Sequence, residues 1–107
     1  MKINPNLLYE SGSNTNGNYI KYTDGTMICW NKVKSGTITF PKTFTSAPTI
    51  VASCANSQNN FMHVVQAASN NGTQATLVAT FQSIGTTNAW ALDTSVDINY
   101  IAIGKWE

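Results

Sequence analysis

The chain is 107 residues long, carries six Lys/Arg against five Asp/Glu for a formal net charge of +1, and is only 10% charged, where an ordinary soluble protein is about 25% charged. Asn, Thr and Ser make up about a third of it. That balance fits one domain with a polar, weakly charged surface. It excludes the basic field that phosphate-driven nucleic-acid binding needs, argues against an anionic membrane surface, and leaves no run of about 18 apolar residues to span a bilayer.

The first 17 residues read as a short apolar patch, Leu7-Leu8-Tyr9, followed by a Gly/Ser/Asn-rich connector, without the apolar core of a secretory signal. Residues 18–107 read as the folded domain. Two apolar and aromatic runs, 19–22 and 26–30, flank Asp24-Gly25, a dipeptide whose second residue reaches positive φ without cost, so the pair reads as a hairpin. Further strands are expected over 37–40, 48–54, 61–68, 74–82 and 97–104, with no helix. Ala75, Leu77, Ala79 and Phe81 alternate with polar Gln74, Thr76, Thr80 and Gln82; Ile38 and Phe40, then Ile50, Ala52 and Cys54, repeat the pattern. That period of two describes a sheet with one wet face. Pro41 and Pro48 bracket a segment that cannot be a central strand and reads as a crossover between two sheets. Asn70-Asn71-Gly72 reads as a second hairpin turn. The fold class is therefore all-β, a small antiparallel β-sandwich of about six to seven strands.

Two runs break the alternation. Met27-Ile28-Cys29-Trp30 and Tyr100-Ile101-Ala102-Ile103 are apolar at consecutive positions, so both faces of those strands call for cover while a two-sheet sandwich covers one. Met27, Ile28, Trp30, Ile101 and Ile103 are accordingly expected at an interface with another copy; the alternative is a loop or the Leu7-Leu8 segment lying over them. Cys29 and Cys54 sit in such apolar strands and read as buried free thiols, with a disulfide as the alternative.

The order of three motifs, N-G-x-Y-I-K-Y-x-D-G-T-M-I-C-W, then T-I-T-F-P-K-x-F-x-S-A-P-T-I-V, then Y-I-A-I-G-K-W, resembles the C-terminal domain of phage and prophage tail-fibre proteins, the gp53-like domain, which is related in architecture to the H-type lectins. The resemblance spans residues 14–106. It implies an H-type-lectin-like homotrimer at a fibre tip, joined to the rest of the tail-fibre shaft, made in the host bacterial cytoplasm, carried on the virion, and bound to carbohydrate of the bacterial cell surface at loop ends near a subunit junction. Within the shared motifs Trp30, Tyr100 and Trp106 read as core or interface packing.

The residues themselves favour binding over catalysis. His63 is the one histidine and falls in a strand; Asp93 and Asp97 are the carboxylates left for chemistry once the termini and the Asp24 turn are set aside. No Cys/His spacing suits zinc and no acidic loop suits calcium, so neither metal nor cofactor is expected. Residues 83–95 form a long loop in which Trp90, either tucked back or displayed as a stacking platform, stands between Asn88 and Asp93. Residues 56–60 read NSQNN, supplying Asn59 and Asn60 just ahead of His63, or else are a solvated turn. Amides beside aromatics suit the hydroxyls and C–H faces of a sugar. The expected activity is non-catalytic attachment to bacterial surface glycan through Trp90, Asn88, Asp93, Asn59, Asn60 and His63; the alternatives are a structural trimerisation cap and a glycan-cleaving depolymerase.

Overall fold

A computed structural model describes residues 7–55, 61–83 and 91–107. These form nine strands and no helix: β1 Leu8–Asn14, β2 Gly17–Tyr22, β3 Thr26–Val33, β4 Gly36–Thr39, β5 Thr49–Cys54, β6 Phe61–Ser69, β7 Gln74–Ser83, β8 Ala91–Asp93 and β9 Ile98–Lys105. Sheet A has the order β1-β2-β3-β9-β5. In sheet B, β6 lies along one edge of β7 while β4 and then β8 lie along the other. Every pairing is antiparallel.

Seven of these strands lie where the sequence leads one to expect them; β1 and β8 do not. The stretch read as a connector is β1, hydrogen-bonded to β2 from Leu8↔Tyr22 to Asn14↔Gly17, so residues 8–14 belong to the sheet. The signal for it is Asn16-Gly17, a second Asn-Gly turn: Gly17 has φ +130°, and a Cβ there would lie 2.8 Å from the Trp30 carbonyl oxygen. Ser, Gly and Asn hide this strand because it is an exposed edge with little side chain to bury.

The Asp24-Gly25 hairpin is present. Gly25 has φ +91°, and the Asp24 carboxylate accepts the Thr26 amide at 2.8 Å. Trp106 closes over it, its indole N–H donating to the Tyr22 carbonyl at 3.0 Å and its ring stacked on Tyr9 at 4.8 Å, with the Lys21 ammonium 4.9 Å from its centroid.

Between the sheets lies the core. Sheet A contributes Tyr19, Met27, Cys29, Ile98, Tyr100 and Ala102, and sheet B contributes Ala75, Leu77 and Ala79. The segment after β4 crosses from sheet B to sheet A between Pro41 and Pro48. Phe44 in its middle is 2% exposed, meets Phe40 edge-on at 5.2 Å, and is pinned where its amide donates to the Gly72 carbonyl at 2.8 Å. Gly72 is required there: a Cβ would fall 2.1 Å from the Phe44 carbonyl oxygen.

Candidate ligand-binding end and outer face

His63 and Asp93, named separately from the sequence, come together. His63 on β6 stands opposite Phe81 of β7, and Asp93 on β8 stands opposite Ala79, one rung further along the same inner face of sheet B. The two side chains reach across β7 to a His63 Nε2 to Asp93 Oδ2 distance of 3.0 Å, with 7% and 16% of the side chains exposed. A carboxylate only accepts, so in the neutral ring Nε2 carries the hydrogen and Nδ1 is left as an acceptor. Among the described residues that Nδ1 is buried without a partner.

The other Asp93 oxygen accepts the Ser95 amide at 2.9 Å, the Ser95 hydroxyl at 2.8 Å and the Val96 amide at 3.2 Å. These donors, the His63 bond first among them, hold the Asp93 carboxyl well below the usual carboxylate range. Asp93 thus fixes the turn into β9 and orients His63. Two neighbours brace the turn: the Ser35 hydroxyl donates to the Asp93 carbonyl at 2.8 Å, and the Lys34 ammonium donates to the Ser95 carbonyl at 2.8 Å while pairing with Asp97 at 2.5 Å. Lys34 in turn holds the Asp97 carboxyl below its ordinary value.

Asn59, Asn60, Asn88 and Trp90 lie outside the described residues. Three of the four strand ends that bound their segments lie together, however. Phe61, which opens β6, pairs with Ser83, which closes β7, and Ala91, which opens β8, pairs with Phe81. The chain therefore enters β6 from sheet A, and leaves β7 and enters β8, at the end of sheet B that carries the His63–Asp93 pair. Among the described residues no three His, Cys, Asp or Glu side chains come together as a metal site.

Both cysteines are free thiols. Burial pushes the Cys29 thiol up to about 11, and burial together with the Asp93 charge raises that of Cys54. The Tyr100 hydroxyl is pushed up to about 12 by burial and is enclosed without a hydrogen-bond partner among the described residues.

The five residues expected at an interface split between two faces. Met27 must be corrected: its side chain is wholly buried in the chain's own core, alternating with Ile28, so another copy cannot touch it. Ile28, Trp30, Ile101 and Ile103 stand on the outer face of sheet A, in rungs that pair Ile28 with Ile103 and Trp30 with Ile101. Ile101 and Ile103 are each 46% exposed. Val51, opposite Ile101 and 66% exposed, joins them. Sequence reasoning passed over it because Thr49 and Ser53 on either side are polar, although Ile50-Val51 is itself a consecutive apolar pair that breaks the alternation.

Where this face turns polar it is concave. A depression of about 400 Å³ is lined by Asn18, Trp30, Asn31, Lys32, Asn99, Tyr100 and Ile101. No known protein family, curated protein or solved structure matches the chain.

Proposed function

We propose that the chain is the non-catalytic receptor-binding tip of a phage or phage-tail-like fibre, an H-type-lectin-like homotrimer borne on the virion that attaches to carbohydrate on a bacterial surface. The observation that carries this reading is the convergence at one end of sheet B. The oriented His63, the start of β6 that follows the segment holding Asn59 and Asn60, and both ends of the segment holding Asn88 and Trp90 meet there. A single copy presenting a few amides and a ring binds weakly, and three copies on one fibre raise the avidity.

The carboxylates support attachment over cleavage. A glycosidase acid needs a raised pKa and a partner carboxylate across the scissile bond. Asp93 and Asp97 are both held low by cationic or hydrogen-bonding neighbours. The second reading, a structural cap that registers the shaft, is favoured by the aliphatic outer face of Ile28, Ile101, Ile103 and Val51.

Whole-cell pull-down across bacterial strains separates the two. As a receptor-binding tip the protein adsorbs to some strains and not others, and the double variant Trp90→Ala, Asn88→Ala loses adsorption while keeping its assembly state. Strain-independent adsorption, untouched by that variant, leaves the cap.

A further inference from the structure

The outer-face depression adds two features to the Trp30–Ile101 pair of the oligomer reading: carboxamides beside it and an ammonium at its rim. Trp30, half-buried beside its β9 partner Ile101, lines it. Three asparagines, Asn18, Asn31 and Asn99, share the lining. Asn18 pairs with Trp30 from β2, and Asn99 lies one row further along β9, opposite Lys32 of β3. The rows are about 7 Å apart, two residues of a strand, so a ring lying on Trp30 has amides within reach on two sides. Asn31 already gives its amide to the Asn16 carbonyl at 3.3 Å, whereas the carboxamides of Asn18 and Asn99 make no hydrogen bond among the described residues. Finally, among the described residues the only ionic group lining the depression is an ammonium, that of exposed Lys32. The carboxylate that senses Lys32 is Asp97, which is already paired with Lys34.

We propose that the outer face of sheet A at Trp30 is a binding site for a pyranose ring bearing a carboxylate, such as a uronic acid residue of an acidic polysaccharide. The apolar C–H face of the sugar lies on the indole, its hydroxyls bridge Asn18 and Asn99, and its carboxylate meets Lys32. A volume of about 400 Å³ lies at the small end of the about 300–1,000 Å³ that small-molecule sites span, which suits one or two sugar rings and not a peptide or a helix. Exposed amides and an open rim make the contact weak and wet, as a repeated, multivalent contact allows. The site is distinct from the loop end and does not depend on it: His63 and Asp93 line the inner face of sheet B, whereas Trp30 lies on the outer face of sheet A.

The test is nuclear magnetic resonance on the full, isotopically labelled chain, titrated with an oligogalacturonate and, separately, with a neutral galactose oligosaccharide of the same length. The acidic ligand should move the Trp30 indole N–H and the Asn18 and Asn99 side-chain amides, and should bind several-fold more tightly than the neutral one, with the difference shrinking as salt is added. Trp30→Ala should weaken binding about tenfold. Lys32→Gln and Asn99→Ala change exposed residues and leave folding intact. The first should abolish the preference for the acid and the second should weaken both ligands. Absence of those shifts, or binding indifferent to Lys32→Gln and Asn99→Ala, overturns the proposal. So does a Trp30 indole that sedimentation and solvent protection show to be sealed beneath a second copy. Trp90→Ala and Asn88→Ala serve as the control: if they alone abolish sugar binding, the loop-end reading stands and this one falls, and the reverse outcome does the opposite.

Discussion

The two faces of strands β3 and β9 carry nearly the same chemistry and have opposite fates. On the inner face Met27, Cys29, Ile98 and Ala102 are fully buried and Tyr100 is 1% exposed. One residue along, Ile101 and Ile103 are each 46% exposed and Ile28 and Trp30 are half-buried. Hydrophobicity alone does not assign a residue to the core, because the second sheet can be packed against only one side of the first. The inner face makes the fold, and the outer face is apolar surface that the second sheet leaves uncovered.

Truncating one residue on each face breaks or sharpens that contrast most directly. Ile98→Ala should cost about 3–4 kcal/mol by opening a cavity among packed neighbours, whereas Ile103→Ala should cost under about 1 kcal/mol in a single chain. Chemical denaturation of the two variants at low protein concentration measures the gap. A cost for Ile103→Ala that rises with protein concentration would show that another copy covers the outer face.

Next in size is the plug that seals the inner face. Gly72→Ala places a methyl 2.1 Å from the Phe44 carbonyl oxygen and must displace the crossover, so a loss of about 3 kcal/mol is expected in thermal or urea unfolding. An alanine there that leaves the midpoint unchanged would mean that Phe44 is not held as described.

The inner face ends in the His63–Asp93 pair, which predicts a pH dependence. The folded-state pKa of Asp93 lies below its unfolded value of about 3.9. Its stabilisation is therefore complete above that value and fades as the pH falls through it towards the folded one. Asp93→Ala should lose about 1–3 kcal/mol at neutral pH, through the four hydrogen bonds to His63, Ser95 and Val96. The variant should also show a flatter decline in acid, followed by denaturant titrations from pH 6 downward.

Thiol labelling gives the smallest effect. Cys29, buried on the inner face with its thiol pushed up to about 11, should resist a disulfide reagent at pH 8 until the protein unfolds. Cys54, half-buried at the end of β5, should react first, and mass spectrometry of the labelled peptides orders the two.

Much of this was legible in the chain itself. The alternation of Ala75, Leu77, Ala79 and Phe81, the Asp24-Gly25 turn and the Pro41 to Pro48 crossover follow from backbone chemistry and period alone, and each is found where the sequence puts it. Strand β1 was not, since an edge strand of Tyr, Glu, Ser and Gly buries almost nothing and leaves no periodic trace. Strand β8, three residues long, leaves none either. His63 and Asp93 were each chosen as polar groups near candidate loops. Their contact, at 30 residues' separation, exists only because β6 and β8 flank the same strand.

What the sequence determined by itself was local: which segments are strands, where the chain turns, and that two strands are apolar on both sides. Which side of β3 and β9 becomes the core was decided by the packing of sheet B and Phe44 against sheet A, which buries Met27 and leaves Trp30 in a concave, amide-rimmed surface. The physical reason is that a strand's period of two distributes side chains equally to both faces, whereas burial requires a partner surface that only the folded chain supplies.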